Sequence, residues 1–315
     1  MGRVKGGCSY DVCIYCKPRP KWNTYDSLLD SSVRLQSHLG PPQILYFLIR
    51  SSKSASSWTD NELQCYRITI AHQGSAAFFG QVNLPQPQIN DNDILTGALI
   101  GPNAVLEDMD DDTYSFLRTM HLATRLDAEE SIVDQLSCQL FRTLGFVGFA
   151  QRRVIMQRKI LHFQVCAMER AAIPNICFID GNDIIRLIQE NKRLTSSMDP
   201  APQLIAQAIA AFSHNNSVRD EQHLALLQSE VILGITMVRT TPTFYKIRVS
   251  RDLVDAVRDG TYPQSAHATT VFAHRPFEVV LNNNANNDAL AAVHWENLDD
   301  RLGILSCFEA FKAFL

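Results

Sequence analysis

The segment Ile173–Arg193, IPNICFIDGNDIIRLIQENKR, constrains the fold more than any other stretch of the chain. Two apolar runs, Ile176–Ile179 and Ile184–Ile188, flank Asp180-Gly181-Asn182-Asp183. β-Branched residues on both sides of a Gly-Asn pair predict two antiparallel strands joined by a tight turn. With Gly181 and Asn182 as the only turn residues, Asp180 pairs with Asp183 and Asn175 falls opposite Ile188. Side chains alternate along a strand, so Ile188, Glu190 and Lys192 share one face, and this register places Asn175 on it. Asn175, Glu190 and Lys192 then converge at one end of the hairpin.

The flanks of the hairpin set the fold class. In Ala128–Leu144, Ile132, Val133, Leu136, Leu140, Phe141 and Leu144 recur at helical spacing and Gly145 ends the run. Gln203–Phe212 predicts a second helix with Ile205, Ala208, Ile209 and Phe212 on one face. Strands are expected at Gln43–Arg50, Glu62–His72, Val154–Ile160, Phe163–Met168, Val231–Met237 and Thr243–Val249. Helices interleaved with strands in this order imply an α/β or α+β core with a mixed central β-sheet. Residues 74–104, rich in Gly, Pro, Asn and Gln, predict loop, and the acidic run Glu107, Asp108, Asp110, Asp111 and Asp112 a solvated boundary that caps the next helix. Three regions follow: an irregular lead over 1–40, an accessory region with short strands over 41–113, and the main domain over 114–315.

Charge narrows the partners. The 29 basic and 33 acidic residues leave a net charge of −4, which argues against a protein that coats nucleic acid. Yet residues 151–193 carry eight basic residues against four acidic ones. No apolar run approaches the ~18 residues of a membrane span, and none follows the charged start Met1–Lys5 as a secretory signal requires. The expectation is an intracellular protein of nucleus or cytoplasm, with no membrane partner and with Cys65, Cys138, Cys166, Cys177 and Cys307 reduced. Cys13 and Cys16, with Cys8 nearby, have zinc-chelating spacing, but the matching second pair is missing and the cluster is read as chance. No Gly-rich phosphate loop or nucleophile elbow occurs, so kinase, dehydrogenase and α/β-hydrolase chemistry has no support.

Pro174, the polar residue at 175 and Glu190-Asn191-Lys192 resemble the signature of the PD-(D/E)XK nuclease superfamily. The helix beginning at Glu129 and Glu130 and the helix bearing Gln203 and Gln207 are similar to that family's flanking helices, and Tyr114–Val249 resembles a fungal branch of it. The resemblance implies a restriction-endonuclease-like core and Mg²⁺-dependent hydrolysis of a phosphodiester in DNA or RNA. It assigns Glu190 and Asn175 to the metal, with Glu130 ahead of Glu129 as the helix ligand. Lys192 would steady the nucleophile and the developing charge. Gln203 joins the catalytic set on the same ground, although helical spacing fits a solvent-facing stripe for Gln203 and Gln207 equally well. The chain departs from the family at Asn175, where the pattern has the first metal-binding Asp. An amide there weakens the metal site, so the alternative is an inactive relative that binds nucleic acid or a protein.

Overall fold

The computed structural model describes residues 50–89, 92–102, 109–125, 127–192, 199–238, 240–263, 268–276, 295 and 297–315. The chain divides into two units, Met1–Phe47 and Leu48–Leu315, and every element below belongs to the second. The irregular lead, its cysteine cluster, residues 43–49 of the first expected strand, and Glu107 and Asp108 lie outside the described residues.

Among the described residues, a short 3₁₀ turn (Ala55–Ser57) and α1 (Asp60–Cys65) lead into β1 (Ile68–His72). Then come α2 (Ser75–Phe79), α3 (Asn92–Thr96), α4 (Asp111–Thr124) and α5 (Glu130–Thr143). The strands β2 (Arg153–Gln157), β3 (Leu161–Val165), β4 (Met168–Ala172), β5 (Ile176–Asp180) and β6 (Ile185–Lys192) follow. The chain continues through α6 (Ala201–Glu221), β7 (Ser229–Val238), β8 (Thr241–Ser250), α7 (Arg251–Asp259), β9 (Thr269–His274) and α8 (Leu298–Lys312). Seven strands form one mixed sheet in the order β1-β9-β8-β7-β6-β5-β2, and β3 and β4 form a separate hairpin. The β6–β7 and β1–β9 pairs are parallel and the other neighbours antiparallel. The protein is therefore α/β with helices on both faces of a mixed sheet, and β1, from the expected accessory region, is a strand of that sheet.

A core lies on each face. One joins α6, α7 and the β3–β4 hairpin to Cys177, Ile188, Ile232 and Ile247. The other joins α2–α5 and α8 to Ile176, Phe178, Leu187 and Ile235. The alternation of Cys177 and Phe178, and of Leu187 and Ile188, between these two cores explains the continuous apolar runs. Buried along its whole first half, α6 carries small residues that let it approach the sheet closely. Gly234 on β7 completes that approach, since a Cβ there would stand 2.8 Å from Leu204 Cδ2. The α6 start is set by Pro202 in its first turn and by Asp199, which accepts from the Ala201 N–H at 2.9 Å.

Three expectations are corrected. The Glu62–His72 stretch opens as a helix, because Thr59 and Glu62 form a capping box that starts α1 before the alternating residues begin. The expected 74–104 loop contains α2 and α3, whose Phe78, Phe79 and Ile94 are core residues. Phe163–Met168 spans two strands, turning at Cys166-Ala167. The acidic run does cap a helix: Asp110 accepts from the Asp112 and Thr113 backbone N–H groups at the start of α4.

Candidate functional site

The β5–β6 turn positions the site, and it is longer than expected. Asp180 and Ile184 close the loop, Asp183 stands at φ 62°, and Asp180 Oδ1 accepts from the backbone N–H of Asn182 and of Ile184. Gly181, Asn182 and Asp183 all belong to the turn. Ile176 consequently faces Gln189, Cys177 faces Ile188 and Phe178 faces Leu187, two positions along from the two-residue register. A shift by two leaves every side chain on its face, so the faces expected for Ile188, Glu190 and Lys192 survive the error.

On the α6 face, Glu190 is 2 % exposed. Its Oε1 lies 2.9 Å from Lys192 Nζ, and its Oε2 accepts from Gln207 Nε2 at 2.7 Å. Burial pushes the Glu190 carboxyl above its ordinary value of 4.5; the Lys192 charge and the Gln207 and Lys192 hydrogen bonds oppose that, and the charge of Glu130 adds to it. Gln203 is buried one turn before Gln207, so neither residue forms a solvent-facing stripe. It is Gln207 that meets Glu190.

On the α5 side stands a second network. Asn175 Nδ2 donates to Asp134 Oδ1 at 3.0 Å and to Glu130 Oε1 at 3.3 Å. Its Oδ1 accepts from the Asn191 backbone N–H at 3.1 Å. Because that N–H can only donate, the amide orientation is fixed, with nitrogen toward the two carboxylates. Asn191 Nδ2 also donates to Asp134 Oδ1, at 2.6 Å, while Arg158 Nη2 approaches Asp134 Oδ2 at 3.6 Å. Gln189 Nε2 donates to Ser137 Oγ at 2.7 Å and to Asn191 Oδ1 at 2.8 Å. The face shared by Asn175 and Glu190 is thus corrected. Asn175 stands one residue before β5, outside the strict alternation, and its amide reaches the α5 carboxylates while Glu190 points to α6.

The structure brings Glu130, Asn175, Glu190 and Lys192 to one end of the hairpin, in two hydrogen-bond networks, one toward α6 and one toward α5, with the charge of Glu130 still felt at Glu190. Sequence reasoning missed Asp134, Gln189, Asn191 and Arg158. Asp134 could have been found, since it lies four residues after Glu130 on a helix and is polar between Val133 and Leu136.

The donor set does not fit a divalent metal. A hard cation needs oxygen lone pairs facing it, whereas here an N–H group of Asn175 is aimed at the two helix carboxylates. No cluster of three or more His, Cys, Asp or Glu side chains able to hold a metal occurs among the described residues. Likewise, no helix among them is long and apolar enough to cross a membrane. A comparison with protein-family models finds no match, and a comparison with curated proteins finds none either.

Proposed function

We propose that this chain is a PD-(D/E)XK-like protein whose metal centre has given way to an internal amide–carboxylate network, and that it works as a binding module without hydrolysing phosphodiesters. Support for the likeness is the layout: α5 precedes the hairpin that carries Glu190 and Lys192, α6 follows it, and β7 runs parallel to β6. One observation carries the loss of hydrolysis. The Asn175 amide nitrogen occupies the hydrogen-bonding space between Glu130 and Asp134 that a cation would need. Charge among the described residues points the same way: the ion pairs there, Arg158 with Asp134 and Lys192 with Glu190, leave Glu130 as an extra negative charge and a phosphate no net attraction.

The second reading, a Mg²⁺-dependent phosphodiesterase acting on DNA or RNA, rests on the Glu190–Lys192 pair at 2.9 Å. A titration of Mg²⁺ and Mn²⁺ with labelled DNA and RNA separates the two. The binding-module reading expects no cleavage and a melting temperature indifferent to either metal. Metal-dependent cleavage that disappears in Glu190→Gln would establish the hydrolase instead.

A further inference from the structure

The sheet ends at β2, and no described strand pairs with its outer edge. Arg153 exchanges both backbone hydrogen bonds with Gly148, outside the sheet, at 2.9 and 3.3 Å. Five residues on, the Arg158 N–H donates inward to the Asn175 carbonyl at 3.1 Å. Strand alternation then directs the N–H and C=O of Ile155 and Gln157 outward, as a short template for another strand. Sheet edges of this kind are ordinarily guarded by polar or inward-pointing charged residues. Here Val154 is 58 % exposed, Met156 41 % and the preceding Phe149 99 %.

Charge selects the occupant. Phe149–Ile160 holds Arg152, Arg153, Arg158 and Lys159 and no acidic residue. Nearby Asp180 is already taken by Arg186 at 2.7 Å. A second copy of this edge would set like charges against like. Nucleic acid would use the cations but neither the outward backbone groups nor the aliphatic pair Val154 and Met156. We infer that the outer edge of β2 is a docking site for an extended, acidic segment of a partner protein, which adds as a further strand beside Ile155 and Gln157. Its carboxylates meet Arg152 and Lys159, and its alternate apolar residues cover Val154 and Met156. The inference deepens the binding-module reading by naming the partner, but the geometry of the edge is independent of whether the hairpin site is catalytic.

Fluorescence anisotropy with the full chain and two synthetic probes tests it: a labelled peptide alternating Glu with Val and one alternating Lys with Val. The acidic probe is expected to bind at least about tenfold more tightly, and less so as salt rises. Arg152→Glu with Lys159→Glu should weaken it about tenfold, as should Val154→Thr with Met156→Thr, which keeps strand propensity. Ile155→Pro removes one outward N–H without breaking a ladder bond and should do the same, provided its melting curve stays cooperative. Equal binding of both probes, or acidic binding untouched by the charge and Thr variants, overturns the inference. So does displacement of the acidic probe by oligothymidylate, or sedimentation showing a dimer that the Thr variant dissociates. Cleavage in the metal titration together with edge binding would refute the non-hydrolytic reading and leave this one standing.

Discussion

Glu190 has its carboxyl raised above 4.5 chiefly by burial, which fixes the sign of a pH effect. The folded state holds that proton more tightly than the unfolded chain. The contribution is fully present below the unfolded value and is lost as pH rises through the folded one. Glu190→Gln cannot ionise, so relative to the parent its stability should improve as pH rises from about 4 to 7 in urea melts. A relative decline over that interval would show that Lys192 and Gln207 outweigh burial. Asn175→Asp tests the other network. It replaces the N–H donor facing Glu130 and Asp134 with a third carboxylate. In chelator the variant should lose about 2 kcal/mol, because two hydrogen bonds vanish and like charges crowd. Mg²⁺ should restore much of that by binding linkage, while the parent stays indifferent. A variant whose melting ignores Mg²⁺ would mean that the carboxylates do not converge closely enough to share an ion.

At the scale of elements, the β3–β4 turn is instructive. Cys166 and Ala167 stand at φ 51° and 59°, a left-handed pair that a tight hairpin wants but that neither side chain favours. What holds the turn is α7: the Cys166 and Ala167 N–H groups donate to the Val257 and Arg258 carbonyls in the last turn of that helix. Ala167→Gly relieves a left-handed cost of about 1–2 kcal/mol and returns part of it as unfolded-chain entropy. A net gain of roughly 0.5–1 kcal/mol is expected from urea unfolding. A loss would show that the Ala167 methyl makes contacts worth more than its strain.

For the molecule as a whole, the described residues of the two cores that sandwich the sheet run from Trp58 onward, with Ala55 just ahead of it. Residues 1–20 carry no apolar period and an incomplete metal-binding set, so deleting them should leave the melting temperature nearly unchanged in calorimetry. Stoichiometric zinc in the purified protein, lost with Cys13→Ser, would show instead that the cysteine cluster is a metal site. Sheet order is a property of this scale alone. β1 and β9 are neighbours although almost two hundred residues separate them, and β1 is tied in by the parallel pairing of Ile68–His72 with Thr269–Ala273.

The sequence by itself determined the elements whose apolar period is long or sharply punctuated: α5, the β5–β6 hairpin, β7 and β8, and with them the α/β class. It also put Glu190 and Lys192 on one face, because alternation depends only on parity and tolerates a register slip of two. What tertiary structure decided were contacts between residues far apart in the chain. Gln207, rather than Gln203, meets Glu190 because Gly234 and Leu204 set how closely and at which turn α6 lies on the sheet. Asn175 leaves the face that alternation assigns it because Asp134, on a helix forty-one residues earlier, offers its amide a better partner. The extension of α6 to Glu221 and the strained β3–β4 turn likewise depend on neighbours, since no local period marks either. Local pattern records which face a residue prefers; which group waits there is settled only when separate elements pack.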